Sequence, residues 1–496
     1  MVVIARMVDV LTQHRDGEGG QKTKPNSGGT LLLPLIPLHE HTLPLAPQCE
    51  SVAGPAAELR KPEQSEIMEL LTCRGSRSDP EFRLRRVAEL LEKVPGVLPL
   101  TEEPQFIYHL SCVWGGIQRH AFRGTIPREP MAQGLHSRAK DAVQSVAKRL
   151  DELDELDLVH FVRGAAYLNL WNVRDMHQAA IVLAPRVAEM SSRNLSKVCD
   201  AFAASGIRNA EFEDALKQRL HVPRSERLDE YRGKDLARIA KYAGVVNLPV
   251  GDFEAPILRL ARKILPATEI AHRMTIGWGL AAMESQSARD YVANILKDGG
   301  QAAQIRLDHA LRLSPHVKLQ FFQACLDLRL EPGPAFNRLL QRTTSILEPS
   351  ARGAHAENRS GDSQSTRTQE NWFERAMKNI LLEVCGRGAI IRSQQTIGGI
   401  SVDFEVGIPI QGHQGGYRMF VVECDGVRYH FVNSDPNQGY LGDHRMRQRI
   451  LSRGGHAVVR VTSEEWEQCK DKHSLMRDKL RDGLHTFSLR SKLPVG

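Results

Sequence analysis

The stretch Asn194–Leu216, NLSKVCDAFAASGIRNAEFEDAL, reads as an apolar helix, a short turn and a second apolar helix. The same plan returns in Asp235–Leu258, DLARIAKYAGVVNLPVGDFEAPIL, and in Leu319–Leu340, LQFFQACLDLRLEPGPAFNRLL. An apolar anchor opens five such units at Leu158, Leu195, Leu236, Met274 and Leu319, and a large apolar residue follows at Met176, Phe212, Phe253, Tyr291 and Phe336. The separation within each unit is nearly constant, and successive anchors stand about forty residues apart, which suits a helix, a turn, a second helix and a connection per repeat. Neither helix of a pair can bury its apolar stripe alone, so the units are expected to stack as an α-solenoid. The competing reading is a non-repetitive helical domain, since amphipathic helix pairs resemble one another.

Outward from this region the composition changes on both sides. Residues 1–62 are rich in Gly, Pro, His and Gln with little periodicity, and read as a flexible leader or targeting segment. Residues 63–347 form the helical-repeat domain, to which the stretch Ser65–Phe122 adds a cap or a further divergent unit. Residues 348–370 hold almost no large apolar residue and read as a linker. From residue 371 the pattern becomes a helix, the β-rich runs IRSQQTI, ISVDFEVGI and YRMFVVECDG, another helix and VVRV. The expected fold is therefore mainly α, an α-solenoid followed by a small α/β domain over 371–496.

Across 496 residues, 66 Lys+Arg against 59 Asp+Glu give a formal charge of +7 and a pI near 9.0, which favours polyanionic partners. The eight cysteines show no CxxC and no Cys/His spacing for zinc, so they read as buried thiols in a reducing compartment. The apolar run Thr30–Leu38 is short and broken by Pro34 and Pro37, so no membrane span is expected. The first forty residues mix acids with bases and do not show the acid-poor character of a mitochondrial presequence.

In the α/β domain, Asp403 lies on one expected strand, and Glu423 and Asp425 on the next. Converging at one sheet edge, they would offer the oxygen ligands Mg²⁺ takes from one or two carboxylates plus phosphate and water. The structural alternative is open too, with Asp403 held in an apolar strand and Asp425 serving its turn. Arg445, Arg449 and Arg453 recur every four residues, share one helix face and make a phosphate ladder, with Arg447 on another face.

The runs VDFEV (Val402–Val406), FVVECDGVRYHF (Phe420–Phe431) and MRQRILSRGGHAVVRVTSEEW (Met446–Trp466) resemble a RAP domain. Its pattern falls on Asp403, Glu423, Asp425, Gly426, His430, Phe431, Arg449, Leu451, Gly455, Val458, Val459, Val461, Glu465 and Trp466. Three residues separate the Asp-Gly from the His-Phe pair, where the family more often has two. The resemblance covers about the last quarter of the chain, and the arrangement with repeats ahead of it resembles the heptatricopeptide- and octotricopeptide-repeat RAP proteins of apicomplexans and algae more than animal FAST-kinase-type members. It implies organellar RNA as partner, as mitochondrial mRNA or rRNA, with mitochondrial ribosomal proteins as further partners and mitochondrion, or plastid, as the address. It also implies the restriction-endonuclease-like, PD-(D/E)xK-type fold. In active nucleases of that type an Asp and a Glu hold metal and a Lys follows the Glu by two residues, the place Asp425 takes here.

Three functions follow. The first is an RNA-binding protein in processing, stability, translation or ribosome association, with no cofactor required. Its contacts would be Arg445, Arg449 and Arg453, with Lys197, Arg238 and Lys241 on the repeats beside Arg163. The second is an Mg²⁺-dependent endoribonuclease with catalytic Asp403, Glu423 and Asp425, His430 as base, metal on Asp403 and Glu423, and Glu374 or Glu383 completing the acidic cluster. The third is an adaptor whose repeats bind protein. Trp466 and Phe431 are expected in the core rather than as stacking platforms.

Overall fold

The computed structural model describes residues 62–72, 86–87, 103–122, 133–221, 231–264, 269–297, 315–331, 363–397, 400–410, 416–425, 431–435 and 438–492. The expected leader ahead of Pro62, Phe336, most of the expected linker, Gly426 and His430 lie outside the described residues. A helix over Pro62–Thr72 (α1) is followed by α2 (Glu103–Phe122) and α3 (Gln133–Ala147). Four helix pairs then follow: α4 (Glu155–Leu168) with α5 (Val173–Leu183), α6 (Ser192–Ser205) with α7 (Ala210–His221), α8 (Gly233–Val245) with α9 (Val250–Ile264), and α10 (Ile270–Ala282) with α11 (Ala288–Lys297). A further first helix, α12, spans Pro315–Asp327.

The first helices α2, α4, α6, α8, α10 and α12 stack each on the next, and α5, α7 and α9 form a second layer behind them. The anchors Leu158, Leu195, Leu236 and Met274 are buried, as are Met176, Phe212, Phe253 and Tyr291 on the second helices. Truncating one such aromatic, Phe212 for example, costs about 3–5 kcal/mol. Leu319 departs from this, being only half-buried, while Phe321 and Phe322 fill the core of the last unit. The stack also begins earlier than the five anchors indicate, because α2 packs along α4.

Every first helix from α4 to α12 ends alike. A left-handed residue follows it at Asn169, Gly206, Asn247, Glu284 and Arg329, with φ of 60°, 65°, 54°, 63° and 54°. The next amide reaches back five residues: Leu170 N to Ala165 O (3.0 Å), Ile207 N to Phe202 O (3.0 Å), Leu248 N to Ala243 O (2.8 Å), Ser285 N to Leu280 O (3.0 Å) and Leu330 N to Cys325 O (2.9 Å). This is the Schellman closure, which satisfies carbonyls a helix end leaves open and turns the chain into the second helix. α8 and α10 approach closely at glycines: a Cβ on Gly244 would lie 2.6 Å from the Gly279 carbonyl oxygen.

The C-terminal module opens with α13 (Ser363–Cys385), which begins inside the stretch read as linker, and continues with β1 (Ile390–Ile397), β2 (Ile400–Pro409) and β3 (Tyr417–Asp425). It closes with α14 (Gly442–Arg453), β4 (Ala457–Thr462), α15 (Ser463–Gln468) and α16 (Lys472–Lys492). The sheet order is β1-β2-β3-β4, antiparallel as far as β3, with β4 parallel to β3 across the α14 crossover. One cluster packs Phe404, Phe420, Val459 and Val461 with Phe373, Met377, Trp466 and Met476; a second packs Ile400, Val402 and Val421 with Leu451. The chain is thus mainly helical, with repeats followed by a small α/β domain, as the sequence leads one to expect.

Candidate nucleic-acid interface

One side of the first helices α4, α6 and α8 carries a cluster of basic residues. His160, Lys197, Arg238, Thr275 and Gln320 stand the same number of residues ahead of the left-handed residue of their own repeat, so all five occupy one equivalent position along the stack. Around them, Arg193 and Lys197 lie one turn apart on α6, and Lys234, Arg238 and Lys241 share one face of α8. Arg163 of α4 sits 5.5 Å from the ring centroids of both Tyr108 and Tyr167.

Asp200 ties this face together. It accepts from the Tyr167 hydroxyl at 2.5 Å and from Lys241 Nζ at 3.1 Å, with Arg238 Nε at 3.5 Å. Asp235 is spent internally, accepting from the Ser196 hydroxyl at 2.8 Å. Lys197 is buried, with Nζ 3.3 Å from Asn194 Oδ1 and 5.9 Å from the Tyr108 ring centroid, and among the described residues no carboxylate pairs with it. Burial and the neighbouring Arg193, Arg163 and Arg238 push its ammonium down to about 8. Burial, with His109 and Lys197 nearby, pushes His160 down to about 4, so its ring is neutral at pH 7. The structure therefore brings Arg163, Lys197, Arg238 and Lys241 together. Arg193, Lys234, Tyr108 and Tyr167 belong to the same face and had no signal in the sequence beyond their helical spacing to these residues.

The α14 ladder has another destination. Arg449 donates to Asp327 (Nη2–Oδ2 2.6 Å), to Glu284 (2.8 Å) and to the Ala281 carbonyl (3.1 Å). Arg445 pairs with Glu284 at 2.6 Å, and Arg453 bonds both the carboxylate (2.8 Å) and the carbonyl of Asp327. These acids and carbonyls are the C-terminal ends of α10 and α12, where helix dipoles and open carbonyls favour cations. The ladder read as a phosphate contact is thus engaged with the repeats. Ahead of it, Asn433 donates N–H to the Gly206 carbonyl (2.9 Å), and its side chain bonds Arg208 N (2.7 Å) and Arg208 O (2.9 Å). Val432, Leu441 and Met446 enter the repeat core.

The sheet-edge acids are likewise answered from within. The strand pairing of β2 with β3 runs from Pro409 to Phe404, and beyond it the Asp403 carboxylate accepts the Cys424 N–H at 2.8 Å. Arg447 bridges Glu423 (3.2 Å) and the Ser401 carbonyl (2.6 Å), while Asp425 pairs with buried Arg460 at 2.9 Å. Arg460 lies 4.7 Å from the Tyr440 ring centroid. Burial first, then neighbouring acids, raises both Asp403 and Glu423. Glu374 lies near Asp403 but bonds Gln394 at 3.1 Å, and Glu383 points away, toward His473 at 2.5 Å. Two guanidinium groups among these carboxylates oppose a dication, and among the described residues no three metal-ligating side chains converge. The donor set does not fit the Mg²⁺ expected on Asp403 and Glu423. Glu465 caps α15 reciprocally with Thr462, and Trp466 and Phe431 are core residues.

The fold and this face define a helical-repeat protein with a basic cluster on its first helices and a docked α/β module. Residues 422–477 match the family model for the RAP domain, so the docked module is a RAP domain, and RAP domains are generally RNA-binding. No curated protein matches the chain. Among the described residues no helix is long and apolar enough to cross a membrane.

Proposed function

We propose that the protein binds single-stranded RNA along the exposed face of its first helices, in an organelle, where it acts in RNA processing, stability or translation or with the ribosome. The observation that carries this is Lys197: a buried ammonium, crowded by three arginines and paired with no carboxylate among the described residues, is a site that favours an added anion. Basic side chains stand on three consecutive first helices, Arg163 on α4, Arg193 and Lys197 on α6, and Lys234, Arg238 and Lys241 on α8, which suits a polyanion better than a single phosphate. The RAP module supports RNA as that polyanion, and its resemblance to organellar members supports an organellar address, mitochondrion or plastid. A basic face does not suit the adaptor reading, and the arginine-bound acids do not suit the nuclease reading.

Fluorescence anisotropy of the full chain with labelled, unstructured single-stranded RNA tests the proposal. Wild type is expected to bind with strong salt dependence, and a variant carrying Lys197→Ala, Arg238→Ala and Lys234→Ala to lose most of that affinity. Equal binding by the triple variant would remove this face from consideration. Immunoprecipitation of the protein with crosslinked RNA from fractionated cells tests the organelle.

A further inference from the structure

Among the large aromatic residues described in the repeat domain, Tyr167 is unusual in being 40 % exposed, on the very face that carries the basic cluster. Exposure leaves much of the ring outside the core, yet the ring is held in place from two sides. Its hydroxyl is anchored on Asp200 at 2.5 Å, and Asp200 is itself fixed by Lys241 and Arg238. The Arg163 guanidinium stands 5.5 Å from its ring centroid and the same distance from Tyr108. An aromatic surface already immobilised, and flanked by cations, costs little further entropy when a flat ligand stacks on it.

Resting on the RNA-binding reading, we propose that Tyr167 with Arg163 is a stacking platform for one unpaired nucleobase of the bound strand, the flanking phosphates lying on Lys197, Arg238 and Lys241. A duplex keeps its bases stacked inside, so this site selects single-stranded over double-stranded RNA and does so without naming a base. Asp200 is a positioning residue: it touches no ligand but sets the ring and two of the cations.

The test compares wild type with Tyr167→Leu and Tyr167→Phe, using a labelled, unstructured single-stranded RNA of mixed sequence and the same strand with abasic positions. Tyr167→Leu is expected to weaken binding to intact RNA by about 5- to 150-fold at fixed salt, the effect of losing one stacked base, with the salt slope unchanged. Tyr167→Phe keeps the ring and is expected to stay within about threefold of wild type. Wild type is expected to lose affinity for the abasic strand, and Tyr167→Leu to lose far less. Should Tyr167→Leu bind intact RNA as wild type does, with its salt dependence intact, the platform is refuted while the RNA-binding reading stands. Should wild type fail to bind RNA at all, both fall.

Discussion

At the scale of single residues, burial decides the charges that matter. Lys197 titrates near 8 in the free protein, whereas an added phosphate favours its protonated form. RNA affinity is therefore expected to be full near pH 7 and to fall as the pH rises through 8, a range in which an ordinary lysine stays charged. Lys197→Arg keeps its charge throughout and is expected to flatten that profile; parallel profiles for the two proteins would count against the role of Lys197. Glu423 moves the other way. Its folded value, about 7, lies above its ordinary 4.5, so the proton binds the folded state more tightly. The stability this contributes is present below pH 4.5 and lost as the pH rises through 7. Thermal melts between pH 5 and 8 are expected to show a shallower decline for Glu423→Gln than for wild type, and identical slopes would show that Glu423 does not carry the effect. The sequence singled out both Lys197 and Glu423 but not these shifts, because desolvation arises only when the chain is packed.

At the scale of elements, α14 shows how a helical arginine repeat finds partners that its spacing does not name. Arg445, Arg449 and Arg453 do share a face, as the four-residue spacing requires, but that face meets the ends of α10 and α12. Arg449→Ala removes charge-assisted bonds to Asp327 and Glu284 and is expected to cost about 1.5–3 kcal/mol, read as a lowered urea midpoint. Gly442 marks the closest approach, since a Cβ there would overlap the Gly244 carbonyl oxygen. Gly442→Ala is accordingly expected to loosen the RAP module from the repeats, seen as faster limited proteolysis between them and an earlier thermal transition. Unchanged proteolysis would mean that the docking tolerates the shift. The repeat boundaries, by contrast, had a signal available: a residue able to adopt the left-handed turn, followed in four of five units by an apolar residue at Leu170, Ile207, Leu248 and Leu330.

At the scale of the molecule, the basic face and the docked module act as separate parts. Phosphates are expected on the first helices, while the RAP arginines are occupied in holding the module to the stack. For single strands, log affinity falls with log salt by about 0.7 per phosphate neutralised. Lys234→Ala is thus expected to shallow the slope by about 0.7, and Arg449→Ala to leave it unchanged; a shallower slope for Arg449→Ala would place RNA on α14 after all.

What the sequence by itself determined is the local order: apolar residues at helical spacing make two-helix units, alternating runs make strands, and the Asp, Glu, Arg and Trp positions of the C-terminal quarter mark the RAP domain. Periodicity and short motifs act over a few residues, so they survive in the sequence. Tertiary structure alone decided which charges meet. Asp327 and Arg449, or Tyr167 and Asp200, are brought together by stacking, and the same stacking set Lys197 against Asn194 rather than against a carboxylate among the described residues. Electrostatic partners depend on distance in space and on exclusion of water, and neither is written in the spacing of residues along the chain.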